Sequence, residues 1–174
     1  MSGRKIATFR RLLTVNWLPE VVVVVVLPLV ATDCVALIPG GAAHRPAKRW
    51  PVERYAELAA LLAGRGVTPV VLGGASESDL GEAIRARVAE ARDLTGATEL
   101  ADVAAIGRRA LWAVGNDTGP MHLLVTAGAP ATVLYSEASD PRRTAPRGAC
   151  VLILRRSDLT DLPMAEVAAT LPFG

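Results

Sequence analysis

The stretch LWAVGNDTGPMHLLVTA, residues 111–127, indicates the fold class of this chain most directly. It begins with a short aliphatic run at residues 111–114, passes through a polar turn that contains glycine, and continues from Pro120 as a helical pattern. Aliphatic runs without polar alternation are typical of strands that are buried on both faces, and proline is favoured in the first turn of a helix. The stretch therefore predicts a strand, a loop and a helix in that order, as in the βα units of α/β proteins.

The same alternation repeats along the rest of the chain. Further strands are predicted at residues 35–38, 68–72, 132–135 and 151–154, with a weaker run at 92–94, and helical patterns occur at residues 52–62, 76–91, 98–110, 120–127 and 163–171. Strands that alternate with helices favour a mainly parallel sheet with helices on both of its faces. We therefore expect an α/β, Rossmann-like doubly wound fold, in one domain that covers residues 35–174.

Residues 1–34 do not continue this pattern. Basic residues precede an apolar run at residues 21–31, a combination that superficially resembles a signal peptide. Glu20 and Pro28 interrupt the pattern, the run is shorter than the roughly 20 residues needed to span a bilayer, and no small-residue cleavage site follows it. We interpret this segment, whose structure the sequence leaves uncertain, as a strand or an interdomain connection.

Composition and charge exclude some functions. Half of the 174 residues are hydrophobic, which is enough for one well-buried core. The formal net charge is only +2, and arginines are mixed with acidic residues, so the sequence lacks the single-sign stripe that is typical of nucleic-acid binders. Cys34 and Cys150 have no metal-ligand spacing and adjoin apolar segments, so both are predicted to be reduced core thiols in a reducing compartment.

The loops that follow the predicted strands are where a ligand is expected. In a doubly wound sheet, ligands bind beyond the carboxyl ends of the strands. The turn Asp117-Thr118-Gly119 precedes a helix, whose first backbone N–H groups and positive end can hold a phosphate. Thr118 adds a hydroxyl donor, and His122 lies one turn into the same helix. The alternative is that Asp117 or Thr118 only caps the helix.

The other loops carry weaker signals of the same kind. Gly40 and Gly41, like Gly73 and Gly74, allow a ligand to approach the backbone closely, although glycine is also ordinary in turns. Glu77 can accept hydrogen bonds from ribose hydroxyls or can serve only as a favourable charge in the first turn of a helix.

Taken in order, these residues resemble those of a known family. The matching pieces are Pro39-Gly40-Gly41-Ala42, Lys48-Arg49-Trp50-Pro51, Gly73-Gly74 with Glu77, and the run GNDTGPMHL at residues 115–123. They resemble the C-terminal domain of the heptosyltransferases, glycosyltransferase family nine, and the likeness covers residues 35–171. The resemblance implies one half of a GT-B architecture, in which this half binds a nucleotide-diphosphate sugar of the ADP-heptose type.

The resemblance also implies a reaction and the residues that serve it. The reaction is an inverting transfer in the synthesis of lipopolysaccharide or another glycan, without metal or cofactor. The resemblance also implies that the enzyme is cytoplasmic, with peripheral association at the inner face of the membrane as a further expectation. By position, the donor site would consist of Gly41, Ala42, Lys48, Glu77, Asp117, Thr118, Gly119 and His122. Lys48 would meet the phosphates or sugar, Glu77 the ribose, and Asp117 the sugar, while the last three residues would hold the diphosphate.

Several alternatives remain beside this interpretation. An N-terminal domain that holds the glycan or lipid-linked acceptor and the general base is expected to be missing, which leaves open whether this chain alone is an enzyme. It is then a fragment, a subunit of a split enzyme or a non-catalytic nucleotide-binding module, and an exposed apolar face would favour self-association.

Asp-Thr-Gly also occurs in aspartic proteases, but those are all-β proteins, and the predicted helices argue against them. A dehydrogenase would require G-x-G-x-x-G after the first strand, where this sequence has PGGAAH, residues 39–44.

Overall fold

The structure, a computed structural model, describes residues 33–41 and 49–173. The strands are β1 (Cys34–Ile38), β2 (Thr68–Val71), β3 (Arg92–Asp93), β4 (Trp112–Asn116), β5 (Ala131–Tyr135) and β6 (Val151–Arg155). The helices are α1 (Val52–Gly64), α2 (Ser78–Arg87), α3 (Leu100–Gly107), α4 (Gly119–Thr126), α5 (Pro141–Thr144) and α6 (Met164–Ala168). Short 3-10 turns occur at Ala75–Glu77 and Leu159–Asp161.

The strands form one six-stranded sheet in the order β3-β2-β1-β4-β5-β6. Every neighbouring pair is parallel. The chain moves outward from β1 to β3, returns to the centre at β4, and then moves outward again to β6. The strand order therefore reverses between β1 and β4, where Ile38 pairs with Gly115. The predicted doubly wound α/β fold with a parallel sheet is confirmed.

Helices cover both faces of the central strands. All five residues of β1 are buried, and because successive side chains of a strand point to opposite faces, they divide between two cores. Leu37 packs in the core that includes Tyr55 and Leu58 of α1, while Ile38 belongs to the core that includes Met121 of α4. Burial on both faces explains why this strand reads as an unbroken aliphatic run.

The structure differs from the sequence predictions at several places. The helices predicted at residues 98–110 and 163–171 are shorter, spanning Leu100–Gly107 and Met164–Ala168. Cys34 is buried as predicted, but Cys150 is exposed, so its prediction as a core thiol is wrong. Cys150 directly precedes β6, an edge strand, where the sheet offers less cover than at its centre.

One prediction concerns the start of the chain. Of the segment at residues 1–34, only residues 33 and 34 are described, and Cys34 is already part of β1, so the proposed strand or connection at residues 1–32 lies outside the described residues. Within the described ranges, no helix combines the length and the apolar character that crossing a bilayer requires.

Candidate functional site

A cleft opens at the carboxyl edge of the sheet, where β1 and β4 end. Its volume is about 360 Å³, within the usual range for small-molecule sites. It is lined by Ile38, Gly40, Gly41, Glu77, Asp117, Thr118, Gly119 and Pro120. This is the point at which the strand order reverses, and ligands of doubly wound sheets bind at such points.

Asn116, the last residue of β4, positions one wall of the cleft. Its side chain is completely buried, and its Nδ2 donates to the carbonyl oxygens of Pro39 (2.9 Å) and Gly40 (3.0 Å). Its Oδ1 accepts from the backbone N–H of Trp50 at 3.0 Å and from the Tyr55 hydroxyl at 3.2 Å. Asn116 therefore joins the end of β1, the start of α1 and the end of β4.

Glu77 holds the same wall from the other side. Its carboxylate accepts hydrogen bonds from the backbone N–H groups of Gly41, at 2.8 Å, and Gly74, at 2.9 Å. A Cβ atom on Gly40 would lie only 1.9 Å from Oε1 of Glu77, so a side chain at this position would displace the carboxylate. The loops after β1 and β2 are thus connected by a single side chain.

Asp117 lines the cleft and is held in place by a hydrogen bond from Tyr135, a residue of β5. Its Oδ1 accepts a hydrogen bond from the Tyr135 hydroxyl at 3.0 Å. Burial raises the pKa of Tyr135 to about 12, and the neighbouring Asp117 carboxylate contributes to that rise. Tyr135 therefore stays a neutral donor over the physiological range and keeps one oxygen of Asp117 in place.

Thr118 occupies the N-cap position of α4 but does not cap the helix with its side chain. Its hydroxyl oxygen is buried and has no hydrogen-bond partner among the described residues. Gly119 follows in an open position, where an added Cβ would meet no atom within 4 Å. Since the first N–H groups of a helix have no partner inside it, this end of α4 offers donors toward the cleft.

The other residues predicted for the site are placed differently. Gly41, Glu77, Asp117, Thr118 and Gly119 come together in the cleft. His122 is half-buried on α4 and is not among the residues that line the cleft. Ala42 and Lys48 lie outside the described residues. The ligand contacts expected of all eight residues remain predictions.

Sequence reasoning missed two contributors, Arg49 and Tyr135. Arg49 donates from Nη2 to the carbonyl oxygen of Gly41, which lines the cleft. Tyr135 reaches Asp117 because β5 pairs with β4, a neighbour relation that no local pattern reveals. The run Lys48-Arg49-Trp50-Pro51 marked the first of them only as part of a family motif.

The described part of the chain contains no group of three or more histidine, cysteine, aspartate or glutamate residues that could hold a metal ion. The carboxylates of Glu77 and Asp117 instead receive hydrogen bonds from protein donors. Metal-independent chemistry remains a prediction of the resemblance.

Comparison with protein families decides the relationship that the motifs indicate. Residues 26–169 match the model of glycosyltransferase family 9 (heptosyltransferase). The chain belongs to this family. The family 9 match covers most of the chain, including every described strand and the cleft.

Curated relatives and solved structures of other family 9 proteins are similar to it. Lipooligosaccharide heptosyltransferase 2 of Haemophilus influenzae is 33% identical over 120 residues, which cover 66% of this chain and 34% of that protein. Lipopolysaccharide heptosyltransferase 2 of Salmonella typhimurium is 36% identical over 104 residues, covering 57% and 30%. The chain thus spans about a third of the length of these curated relatives.

Among solved structures, that of Escherichia coli ADP-heptose lps heptosyltransferase II has a TM-score of 0.72 at 30% identity, covering 79% of this chain and 44% of that one. Escherichia coli heptosyltransferase WaaC with ADP has a TM-score of 0.73 at 25% identity, covering 83% and 46%. The structural match therefore covers a little less than half of each of these two solved chains.

Proposed function

We propose that this family 9 chain is the donor-binding half of a heptosyltransferase-type glycosyltransferase and that it binds a nucleotide-diphosphate sugar of the ADP-heptose type. The observation that carries the proposal is the buried hydroxyl of Thr118 at the start of α4, which lines the cleft and has no hydrogen-bond partner in the described part of the chain. A similar solved protein, Escherichia coli heptosyltransferase WaaC, was determined with ADP.

The diphosphate is assigned to the end of the cleft formed by α4. Backbone N–H groups at a helix N-terminus bind phosphate oxygens, and the helix dipole favours negative charge there. The Thr118 hydroxyl adds one donor, and Gly119 leaves the approach open. The glycine loop at Gly40 and Gly41 forms the opposite wall.

The sugar is assigned to the side of Asp117. Tyr135 fixes this carboxylate through a 3.0 Å hydrogen bond, so Asp117 accepts sugar hydroxyls without first losing side-chain freedom. Glu77 adjoins the same cleft, and the ribose contact that the family resemblance implies for it is part of the proposal.

The proposed reaction is an inverting transfer that needs no metal. An acceptor hydroxyl forms a bond to the anomeric carbon from the face opposite the diphosphate, a general base takes its proton, and the bond to the diphosphate breaks. The donors at α4, together with Lys48, stabilise the negative charge on the departing nucleoside diphosphate. The acceptor, a glycan or lipid-linked sugar in lipopolysaccharide synthesis, and the general base are assigned to a separate N-terminal domain.

A second candidate is a nucleotide-binding module without turnover, or one subunit of a split enzyme. The cleft at the end of α4 would bind a nucleotide in either case. Cytoplasmic location, peripheral membrane association and self-association belong to this proposal as expectations.

Calorimetry with the 174-residue chain tests donor binding. We expect ADP to bind in the presence of EDTA and to bind more tightly than adenosine, because the diphosphate meets the donors at α4. Equal affinities for ADP and adenosine would contradict the diphosphate site. Loss of ADP binding on chelation would show that the site depends on a metal. Transfer of the sugar to an acceptor, assayed with and without a copurifying partner, separates the enzyme from the binding module.

A further inference from the structure

We propose that Arg49 is a phosphate-binding residue of this cleft and that it supplies positive charge to the diphosphate. The inference rests on the proposed function and adds a residue to it. Arg49 lies just behind the cleft wall, where its Nη2 donates to the carbonyl oxygen of Gly41.

The charges of the described lining residues show why a cation is favoured. Two of these residues, Glu77 and Asp117, are carboxylates, and none is lysine, arginine or histidine. The N-terminus of a helix contributes roughly half an elementary charge. A diphosphate that binds beside these carboxylates is favoured by nearby cations, and Arg49 would add to the positive charge that the proposed function assigns to Lys48.

Two side chains, each with a buried polar atom that has no partner among the described residues, meet at Gly41. Within the described ranges, the buried side-chain nitrogen and oxygen atoms that lack a hydrogen-bond partner are Nε of Arg49 and Oγ1 of Thr118. A Cβ placed on Gly41 would lie 3.8 Å from Arg49 Nε and 3.5 Å from Thr118 Cγ2, so both side chains pack against this one glycine. Buried polar groups are almost always satisfied, and two exceptions at one residue indicate a shared purpose.

A backbone hydrogen bond of the next residue, Trp50, fixes Arg49 beside Gly41 and Thr118. Trp50 donates its N–H to Asn116 at 3.0 Å, which ties the start of α1 to the end of β4. In the proposed complex, the guanidinium exchanges its hydrogen bond to the Gly41 carbonyl for one to a phosphate oxygen beside Thr118. A planar fork of donors suits the oxygens of a phosphate, which arginine binds in a bidentate manner.

The alternative is that Arg49 only supports the Gly41 carbonyl. Calorimetry in EDTA with adenosine, AMP and ADP separates the two roles, because a phosphate ligand acts on phosphates and a support acts on every ligand. The variants are Arg49→Gln and Arg49→Lys. Arg54→Gln is the matched control, since Arg54 is a partly exposed arginine of α1 that pairs with Glu57.

We expect Arg49→Gln to weaken ADP binding roughly tenfold or more, the usual effect of losing a charge-assisted hydrogen bond, and to change adenosine binding much less. The dependence of ADP affinity on salt should also become shallower in this variant. Arg49→Lys, which keeps the charge without the fork, should fall between the wild type and Arg49→Gln, and Arg54→Gln should match the wild type.

An equal loss for adenosine, AMP and ADP would overturn the role of Arg49 while leaving the proposed function intact. A wild-type chain that binds ADP no better than adenosine would overturn both. If Arg49→Gln does not fold, as judged by circular dichroism, the ratio of ADP to adenosine affinity in Arg49→Lys decides: an unchanged ratio rejects the proposal, and a reduced ratio supports it.

Discussion

Glu77 and Gly41 are joined by a hydrogen bond although they are 36 residues apart in the chain. The Glu77 Oε1 atom accepts the Gly41 N–H at 2.8 Å, while Oε2 accepts the Gly74 N–H at 2.9 Å. The two glycine loops are therefore held at a fixed separation by one side chain, whose two oxygens each accept a backbone hydrogen bond.

Replacing Glu77 by glutamine should weaken binding of both ADP and 2′-deoxy-ADP, because the amide presents a donor to one of the two N–H groups and releases one loop. We expect about a tenfold loss for each ligand in calorimetry. Any additional loss for ADP alone measures the ribose contact expected of Glu77. Glu82→Gln, an exposed change on α2, is the control, and unchanged affinities in Glu77→Gln would contradict the bridging role.

Replacing Asn116 by aspartate should destabilise the fold, because the carbonyl oxygens of Pro39 and Gly40 lose their donor and a carboxyl group is buried. We expect a loss of about 3 kcal/mol in the free energy of unfolding near neutral pH, measured by urea denaturation. Burial raises the pKa of the new carboxyl in the folded state. The loss should therefore be smaller in acid and should grow as the pH rises through that pKa.

Asn116→Ala provides the comparison for this pH dependence. It removes the same hydrogen bonds without adding a titratable group, so its loss of stability relative to the wild type should not change with pH. Parallel pH profiles of the two variants would show that the carboxyl is not buried as Asn116 is.

Replacing Thr118 by valine should separate ligand binding from stability. The hydroxyl has no protein partner among the described residues, so its loss should leave the free energy of unfolding within about 1 kcal/mol of the wild type or raise it. ADP binding should weaken roughly tenfold. The reverse result, a less stable protein with unchanged ADP affinity, would mean that Thr118 serves only as a helix cap.

Alkaline titration should reveal no ordinary tyrosine. The chain contains two tyrosines, and burial raises the pKa of Tyr55 well above its usual value and that of Tyr135 to about 12. Both folded-state pKa values exceed the unfolded value, so the stabilisation is complete below about pH 10 and is lost as the pH rises through the folded-state values. Phenolate absorbance at 295 nm should therefore appear only near pH 12 or on unfolding. Ionisation of one tyrosine near pH 10 in the folded protein would be inconsistent with this burial.

The two cysteines should react at very different rates with an aromatic disulfide reagent at pH 8. Cys150 is exposed, whereas Cys34 is buried in β1, where burial raises the pKa of its thiol to about 11. Since the thiolate is the reactive form, one equivalent should react quickly and the second only in denaturant. Cys150→Ser should abolish the fast phase, and a fast phase that survives in this variant would place Cys34 at the surface.

The sequence alone determined the layered fold and the edge on which to look for a ligand. An unbroken aliphatic run such as β1 indicates a strand that is buried on both faces, and Pro120 after a polar turn indicates the start of a helix. Both signals lie within a few consecutive residues, so they can be recognised in the sequence. The family motif was recognisable for the same reason, since its pieces are short and local.

Only the tertiary structure decided which side chains meet in the cleft. Asn116 bonds to Pro39, 77 residues away in the chain, and Tyr135 reaches Asp117 because β5 lies beside β4. Arg49 and Thr118 both pack against Gly41, because the loops after β1 and β4 lie side by side. Cys150 is exposed because β6 lies at the edge of the sheet. Such contacts follow from strand order and register, which arise from the packing of distant segments and leave no periodic trace in the amino-acid sequence.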